Sequence, residues 1–259
     1  MSDTEDRAIS LTNRSHFWDD GENAHDSIRA ASELGPSPRS KDVVRVAWKD
    51  ILDIYFPNHL DRPVGIRYRV HTGAPRGPPG REGETRADVV VVQIATSQRG
   101  VEPVKRDVLW VECGTPEEDQ PKAWNKLMKQ AVGRLTVAHP SRNIHLVLAI
   151  GIQWMLFEWA PGNQRSPLQI CAHSLRATWS VHPQIHVPIP DAPYLVPSNL
   201  NVDYDQIDTT RAYSLDFWTL DPTRQQPSDR PALYQLESCL GKIQVAVFLG
   251  GPNPAHFLV

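Results

Sequence analysis

Apolar residues along this chain recur with two spacings, and each spacing predicts a different kind of element. One stripe of apolar residues, three and four positions apart, runs from Val44 to Tyr55 and ends before Pro57. A second stripe with the same spacing runs from Trp124 to Ala138. Because residues at this spacing share one face of a helix, both segments are predicted to be amphipathic helices.

Five other segments have the composition of β-strands. The first alternates apolar and polar residues, which predicts a strand with one face in water. The second is an almost continuous β-branched run, typical of a central strand covered on both faces. The five segments are Ile66–His71, Ala87–Ala95, Val108–Cys113, Ile144–Ile150 and Trp154–Trp159. Together with the two helices they predict an α/β fold, a mixed sheet with helices on its faces, whose last two strands form a hairpin.

Prolines divide the chain into parts. There are 23 prolines against 15 glycines in 259 residues, and they avoid the patterned strands. Residues 1–40 are polar and are predicted to be a mostly disordered lead-in. Residues 41–259 are predicted to form one domain, with a compact core at 41–160 and an irregular C-terminal elaboration at 161–259. Smaller predicted features are a flexible loop at 71–86, short strands near 168–173 and 184–188, a short helix at 234–240 and a last strand at 243–249.

Charge and cysteine content limit the classes of partner and compartment. Lys and Arg total 27 against 30 Asp and Glu, a net charge of −3, which argues against a broadly basic nucleic-acid coat but not against a local basic groove. The apolar runs are far shorter than the ~20 residues of a membrane helix, so no membrane partner is expected. The acidic first residues lack a secretory signal and the three cysteines are far apart, so an intracellular location, nuclear or cytoplasmic, is expected.

Two acidic residues lie near the ends of apolar strands, Asp88 in the second and Glu112 in the third. A carboxylate is costly to bury unless it is paired or binds a metal. If the two strands are neighbours, the two carboxylates face each other and repel, and a hard divalent cation such as Mg²⁺ relieves that repulsion. The alternative is that each acid lies at a strand end, in water or paired with an arginine.

The order of elements and the placement of these acids resemble the PD-(D/E)xK nuclease superfamily, over roughly residues 41–160. The resemblance implies a restriction-endonuclease-like αβββαβ core. It assigns Asp88 to the motif Asp and Glu112 to the motif Glu, and it assigns Gln130 to a supporting Gln on the following helix. It further implies that Mg²⁺ or Mn²⁺ is held by the two acids and the backbone carbonyl of Cys113, for phosphodiester hydrolysis of nucleic acid.

One position departs from the family pattern, because Gly114 stands where the motif has its catalytic lysine. Lys122 and Lys126 on the following helix are the candidates to replace it, and Lys105 is a weaker one; ordinary exposed lysines are the alternative. Two functions therefore compete. The first is a metal-dependent nuclease with a relocated lysine. The second is a catalytically degraded nuclease fold that serves as a binding or scaffold module for a protein partner.

Two further groups of residues carry weaker signals. Arg62, Arg67 and Arg69, on and before the first strand, form either a phosphate-facing stripe or an ordinary wet strand face. Cysteine and histidine residues in the C-terminal part have a zinc-like composition but no standard ligand spacing; they are Cys171, His173, His182 and His186.

Overall fold

The structure is a computed structural model that describes about half of the chain. The described residues are 15–34, 37, 39–58, 65–77, 83, 85–95, 102–115, 121–159, 161, 168–170, 212–217, 233, 236–237, 239–241 and 243–244. The helices are α1 Asn23–Glu33, α2 Ser40–Tyr55 and α3 Pro121–Ala138. The strands are β1 Ile66–Thr72, β2 Pro75–Arg76, β3 Thr85–Arg86, β4 Val89–Ala95, β5 Val104–Gly114, β6 Ile144–Ile150, β7 Gln153–Trp159, β8 Leu168–Ile170 and β9 Tyr213–Ser214.

A mixed sheet in the order β1-β4-β5-β6-β7-β8 forms the centre of the described residues, and β9 also pairs with β7. Strand β4 is antiparallel to both β1 and β5, whereas β5 and β6 are parallel. Parallel neighbours need a crossover, and α3 supplies it. Strands β6 and β7 form the predicted hairpin, whose turn contains Gly151 at a φ of 57°, a conformation that glycine adopts without steric cost. The predicted α/β class with a mixed sheet is confirmed.

Helices cover both faces of the sheet, which explains why the central strands are apolar on both sides. One core lies between the sheet and α1 and α2, and includes Trp48, Val91 and Val111. The other lies between the sheet and α3, and includes Trp110 and Met128. We call the second side the α3 face of the sheet. The alternation of side chains along β4 and β5 divides their residues between these two cores.

Part of the segment expected to be disordered is folded. In residues 15–34 the side chains of Phe17 and Ile28 are fully buried, and α1 packs on α2. The polar composition of residues 1–40 hides an amphipathic stripe in α1, formed by Ala24, Ile28 and Ala31. Composition averages over both faces of a helix, so it cannot detect a narrow apolar stripe that another helix covers.

Replacing Ile28 by Val tests whether this N-terminal segment belongs to the domain. Loss of one buried methylene group is expected to lower the free energy of unfolding by about 1 kcal/mol. Urea unfolding measured by circular dichroism would give this value. Leu34→Val, at an exposed position at the end of α1, is the matched control and is expected to change stability by less than about 0.5 kcal/mol. Equal stability of Ile28→Val and the wild type would contradict the docking of α1.

Other differences from the sequence expectations are local. The loop expected at 71–86 contains the antiparallel ribbon of β2 and β3. Residues 243–244 are helical instead of beginning a strand, and described residues between 233 and 240 are helical as expected. Only 168–170 of the short strand expected near 168–173 is described, as β8. The strand expected at 184–188, the zinc-like residues between 171 and 186, and Arg62 lie outside the described residues. In the part of the chain that is described, no helix combines the length and the apolar character needed to cross a membrane.

Candidate functional site

The two acids predicted as metal ligands lie next to each other at one end of the β4–β5 ladder. Glu112 is on β5 directly after Val111, which pairs with Val89, and Asp88 is the residue directly before β4. Both side chains are buried: Asp88 is 8% exposed and Glu112 is 0% exposed. The apolar residues of β4 and β5 fix this register, because a slip of one residue would turn the side chains of β4 toward the opposite core.

Asp88 is held by one backbone group and one ammonium group. The Cys113 backbone N–H donates to Asp88 Oδ2 at 2.9 Å, which ties the acid to β5. The Nζ atom of Lys41 lies 3.0 Å from the same oxygen. Lys41 is in the first turn of α2, so this contact joins the helix on one side of the sheet to the residue directly before β4. An ammonium group is therefore placed directly beside the predicted metal ligand.

Glu112 is held from the other side of the sheet by α3. Arg134 Nη1 donates to Glu112 Oε2. With its amide oxygen turned toward the guanidinium, Gln130 accepts from Arg134 Nη2 at 2.9 Å and from Nη1 at 3.0 Å. The second carboxylate oxygen of Glu112, Oε1, is buried and has no hydrogen-bond partner among the residues that the structure describes. An unpartnered buried carboxylate oxygen is costly, and a bound cation would compensate that cost.

The electrostatics of the pair follow from burial and proximity. Burial raises the pKa of Glu112 to about 8, and the neighbouring charge of Asp88 contributes to the rise, while Arg134 and Lys41 oppose it. Burial also raises the pKa of the Cys113 thiol well above its usual range, so this cysteine is a neutral core residue. The two acids and the two cations that contact them form a compact cluster, and Gln130 contacts one of the cations. We call these five residues the acid cluster: Lys41, Asp88, Glu112, Gln130 and Arg134.

The acid cluster has the donor atoms that Mg²⁺ or Mn²⁺ prefers. Carboxylate oxygens are hard ligands, and such a cation commonly uses one or two of them and completes its shell with water and substrate oxygens. The free Oε1 of Glu112 and its position beside Asp88 fit this requirement. Within the described ranges no group of three or more acidic, cysteine or histidine side chains converges on one point. The fit is thus to a two-carboxylate site, and the Cys113 carbonyl stays a prediction as third ligand.

The lysines predicted from the sequence form no salt bridge with the two acids among the described residues. Lys122 and Lys126 are exposed on the first two turns of α3, and Lys105 is exposed near the start of β5. The lysine that contacts an acid of the predicted pair belongs instead to α2. Gly114, at the motif position, ends β5 two residues after Glu112.

Sequence reasoning missed Lys41 and Arg134. For Arg134 a signal was present, because it follows Gln130 by four residues and so lies on the same face of α3. For Lys41 the chain offers no local signal, since 47 positions separate it from Asp88 and only the packing of α2 on the sheet brings them together.

A further buried acid, Asp107, lies on β5 outside the acid cluster. Its Oδ2 accepts from Arg76 Nε at 2.6 Å and from Trp110 Nε1 at 3.1 Å, and His139 Nε2 lies 3.2 Å away. Burial alone raises the pKa of Asp107, but the hydrogen bonds with His139 and Arg76 outweigh burial and lower it to about 2. Asp107 therefore joins three elements: the β2–β3 ribbon through Arg76, β5 itself, and the residue that follows α3 through His139.

Comparison with known proteins gives no family assignment: neither the protein-family models, nor the curated proteins, nor the solved structures contain a match to this chain.

Proposed function

We propose that this protein is a nuclease that uses a divalent cation, with a site of the PD-(D/E)xK type in which Lys41 replaces the missing motif lysine. The observation that carries the proposal is the position of the Lys41 ammonium group, 3.0 Å from Asp88 Oδ2, at the end of the β4–β5 ladder where Glu112 also lies. The elements α2, β1, β4, β5, α3 and β6 follow one another in the αβββαβ order, with the β2–β3 ribbon as an insertion. This order supports a restriction-endonuclease-like core.

Each residue of the acid cluster has a separate role in the proposed phosphodiester hydrolysis. Asp88 and Glu112 would hold Mg²⁺ or Mn²⁺, which supplies a positive charge next to the scissile phosphate. The Lys41 ammonium group would orient the attacking water and neutralise charge as it develops on the phosphate. In the overall reaction, water adds to phosphorus, one P–O ester bond breaks, and the leaving oxygen takes up a proton.

Arg134 and Gln130 support the ligands in this scheme. Arg134 donates to one oxygen of Glu112 and leaves the other oxygen without a described partner, so the carboxylate is oriented while one of its oxygens remains for a cation. Gln130 accepts from the guanidinium and so restricts its rotation. Contacts of this kind, made behind a metal ligand, commonly set its orientation and affinity.

Metal binding tests the proposal directly. Calorimetric titration of the wild type with Mg²⁺, and separately with Mn²⁺, is expected to show one site with a dissociation constant of about a millimolar, weak because Lys41 and Arg134 oppose the added charge. Asp88→Asn and Glu112→Gln are expected to abolish binding. Asp53→Asn removes an exposed carboxylate from α2 and should leave binding unchanged. A wild type that binds neither ion at about ten times that concentration would overturn the nuclease proposal.

A second function has one specific observation in its favour. Each acid of the pair is already paired with a cation, Asp88 with Lys41 and Glu112 with Arg134, so the cluster is compensated without a metal. A catalytically degraded fold that serves as a binding or scaffold module would need no more than this. This function predicts that the titration shows no metal binding, that no nucleic acid is cleaved, and that the acid pair contributes to stability alone.

A further inference from the structure

Basic residues occupy every second position of the edge strand β1. Arg67, Arg69 and His71 pair with Ile94, Val92 and Val90 of β4. Residues directly opposite each other in a ladder project to the same side of the sheet. The three β4 residues belong to the core beneath α3, so the three basic side chains lie on the α3 face. We call this set the basic row.

The basic row leads along β1 to the acid cluster. Two residues beyond His71, the backbone N–H of Gly73 donates to the carbonyl oxygen of Asp88 at 3.0 Å. Asp88 directly precedes β4, whose first residue, Val89, pairs with Val111, the neighbour of Glu112 on β5. Side chains two residues apart on a strand are separated by about 7 Å, so Arg69 lies about 13 Å along the chain from Gly73, and Arg67 about 20 Å. Glu112, which contacts Arg134 of α3, therefore lies on the same side of the sheet as the basic row, and Asp88, which contacts Lys41 of α2, lies at the end of that row.

The two arginines of the row are available to an external anion. Arg69 is exposed and Arg67 is partly exposed, and neither forms a salt bridge with any residue that the structure describes. Burial lowers the pKa of His71, and the positive charges of Arg76 and Arg69 lower it further, while Asp107 opposes the shift. The chain as a whole carries a net charge of −3, so attraction of a polyanion requires a local patch of this kind.

We propose that the basic row binds the phosphate backbone of a nucleic-acid strand and directs it toward the acid cluster. The inference rests on the proposed function for its choice of ligand. Grooves that bind single strands follow the backbone with positive side chains, and the spacing of about 7 Å along β1 is of the order of one nucleotide in an extended strand. Arg67 and Arg69 each contact a phosphate, because a guanidinium donates two parallel hydrogen bonds to phosphate oxygens.

Charged residues on an edge strand also have a purely structural use, since they prevent edge-to-edge aggregation. That use is satisfied by charges of either sign, whereas phosphate binding requires positive ones. Charge reversal therefore separates the two explanations: Arg67→Glu/Arg69→Glu keeps a charged edge and removes the anion site. The matched control is Arg29→Glu/Lys49→Glu, which makes the same change in net charge at exposed positions of α1 and α2.

Binding of a fluorescent oligothymidine of about 12 nucleotides, measured by anisotropy with EDTA present, tests the inference. The wild type is expected to bind at about 50 mM salt, and Arg67→Glu/Arg69→Glu to bind at least about tenfold more weakly. The slope of log affinity against log salt concentration should fall by about 1.4, that is, two phosphate contacts at about 0.7 each. The control variant should retain most of the binding.

Three results would overturn the inference: no binding by the wild type, equal weakening by both variants, or equally strong binding of polyglutamate. Because the assay contains no divalent metal, it is independent of cleavage. Binding through Arg67 and Arg69 without any cleavage under Mg²⁺ would overturn the proposed function alone. Cleavage under Mg²⁺, with oligothymidine binding unaffected by Arg67→Glu/Arg69→Glu, would overturn this inference alone.

Discussion

Replacement of Lys41 by Met is expected to reduce the rate of nucleic-acid cleavage at least about a hundredfold, the usual cost of removing one positioned group that stabilises transition-state charge. Met keeps most of the length of the side chain and removes its ammonium group, so α2 should still pack on the sheet. The measurement is single-turnover cleavage of labelled DNA and RNA at saturating Mg²⁺ and protein, which separates the chemical step from binding.

Three companion variants make this result specific. Lys49→Met removes an exposed lysine from the same helix and should leave the rate unchanged. Lys41→Arg keeps the charge in a different geometry and should retain part of the activity. Gly114→Lys, introduced into Lys41→Met, returns a lysine to the motif position on the strand of Glu112 and should restore activity in part. A Lys41→Met protein as active as the wild type would show that the ammonium group beside Asp88 has no catalytic role.

Replacement of Asp107 by Ala is expected to lower the free energy of unfolding by about 3 kcal/mol, because it leaves Arg76, Trp110 and His139 without their shared acceptor. Asp107→Asn keeps an acceptor oxygen and should cost less. Asp53→Ala, at an exposed carboxylate on α2, should change stability by less than about 0.5 kcal/mol. Urea unfolding at pH 7 measures all three, and a small effect of Asp107→Ala would contradict the role of this acid in joining three elements.

The same substitution has a defined pH dependence. The pKa of Asp107 is lowered from its usual 3.8 to about 2 in the folded protein, so its contribution to stability is complete above about pH 4 and is lost as the pH falls toward 2. The stability difference between the wild type and Asp107→Ala should therefore shrink across that interval. A difference that stays constant from pH 5 to about pH 2 would mean that the carboxylate charge is not what stabilises the fold.

The strands of the sheet could be predicted because each carries its own signal. Strand β4 is a continuous β-branched run, since helices cover the sheet on both sides, and β1 alternates because its α3 side carries the basic row. The apolar stripe of α2 predicted that helix equally well. The segment at 15–34 could not be predicted in this way, because its apolar residues are few and are buried against parts of the chain that are distant in sequence. The β2–β3 ribbon also lacked a signal, since two-residue strands have no periodicity.

The candidate site divides in the same way. Asp88 and Glu112 could be predicted because a carboxylate is costly to bury among apolar residues, and a short stretch of sequence is enough to show one acid within an apolar run. Their cationic partners could not be found in this manner. Lys41 and Arg134 lie on amphipathic helices, where a charged residue is common. The sequence therefore does not distinguish them from Lys122 and Lys126 as partners of the two acids.

By itself the sequence determined the class of fold and the apolar segments that carry the two acids. Both follow from local periodicity, which a strand or a helix expresses wherever it is placed. The close approach of the acids was an expectation conditional on the two strands being neighbours, and the pairing of β4 with β5 meets that condition. Only the tertiary structure decided which cations meet the acids, that the N-terminal segment joins the core, and that the basic row on β1 points toward the acid cluster. Those facts depend on how elements distant in sequence pack against one another. Hydrophobic burial drives that packing and is non-directional, so the sequence of one apolar segment does not specify which other segment covers it.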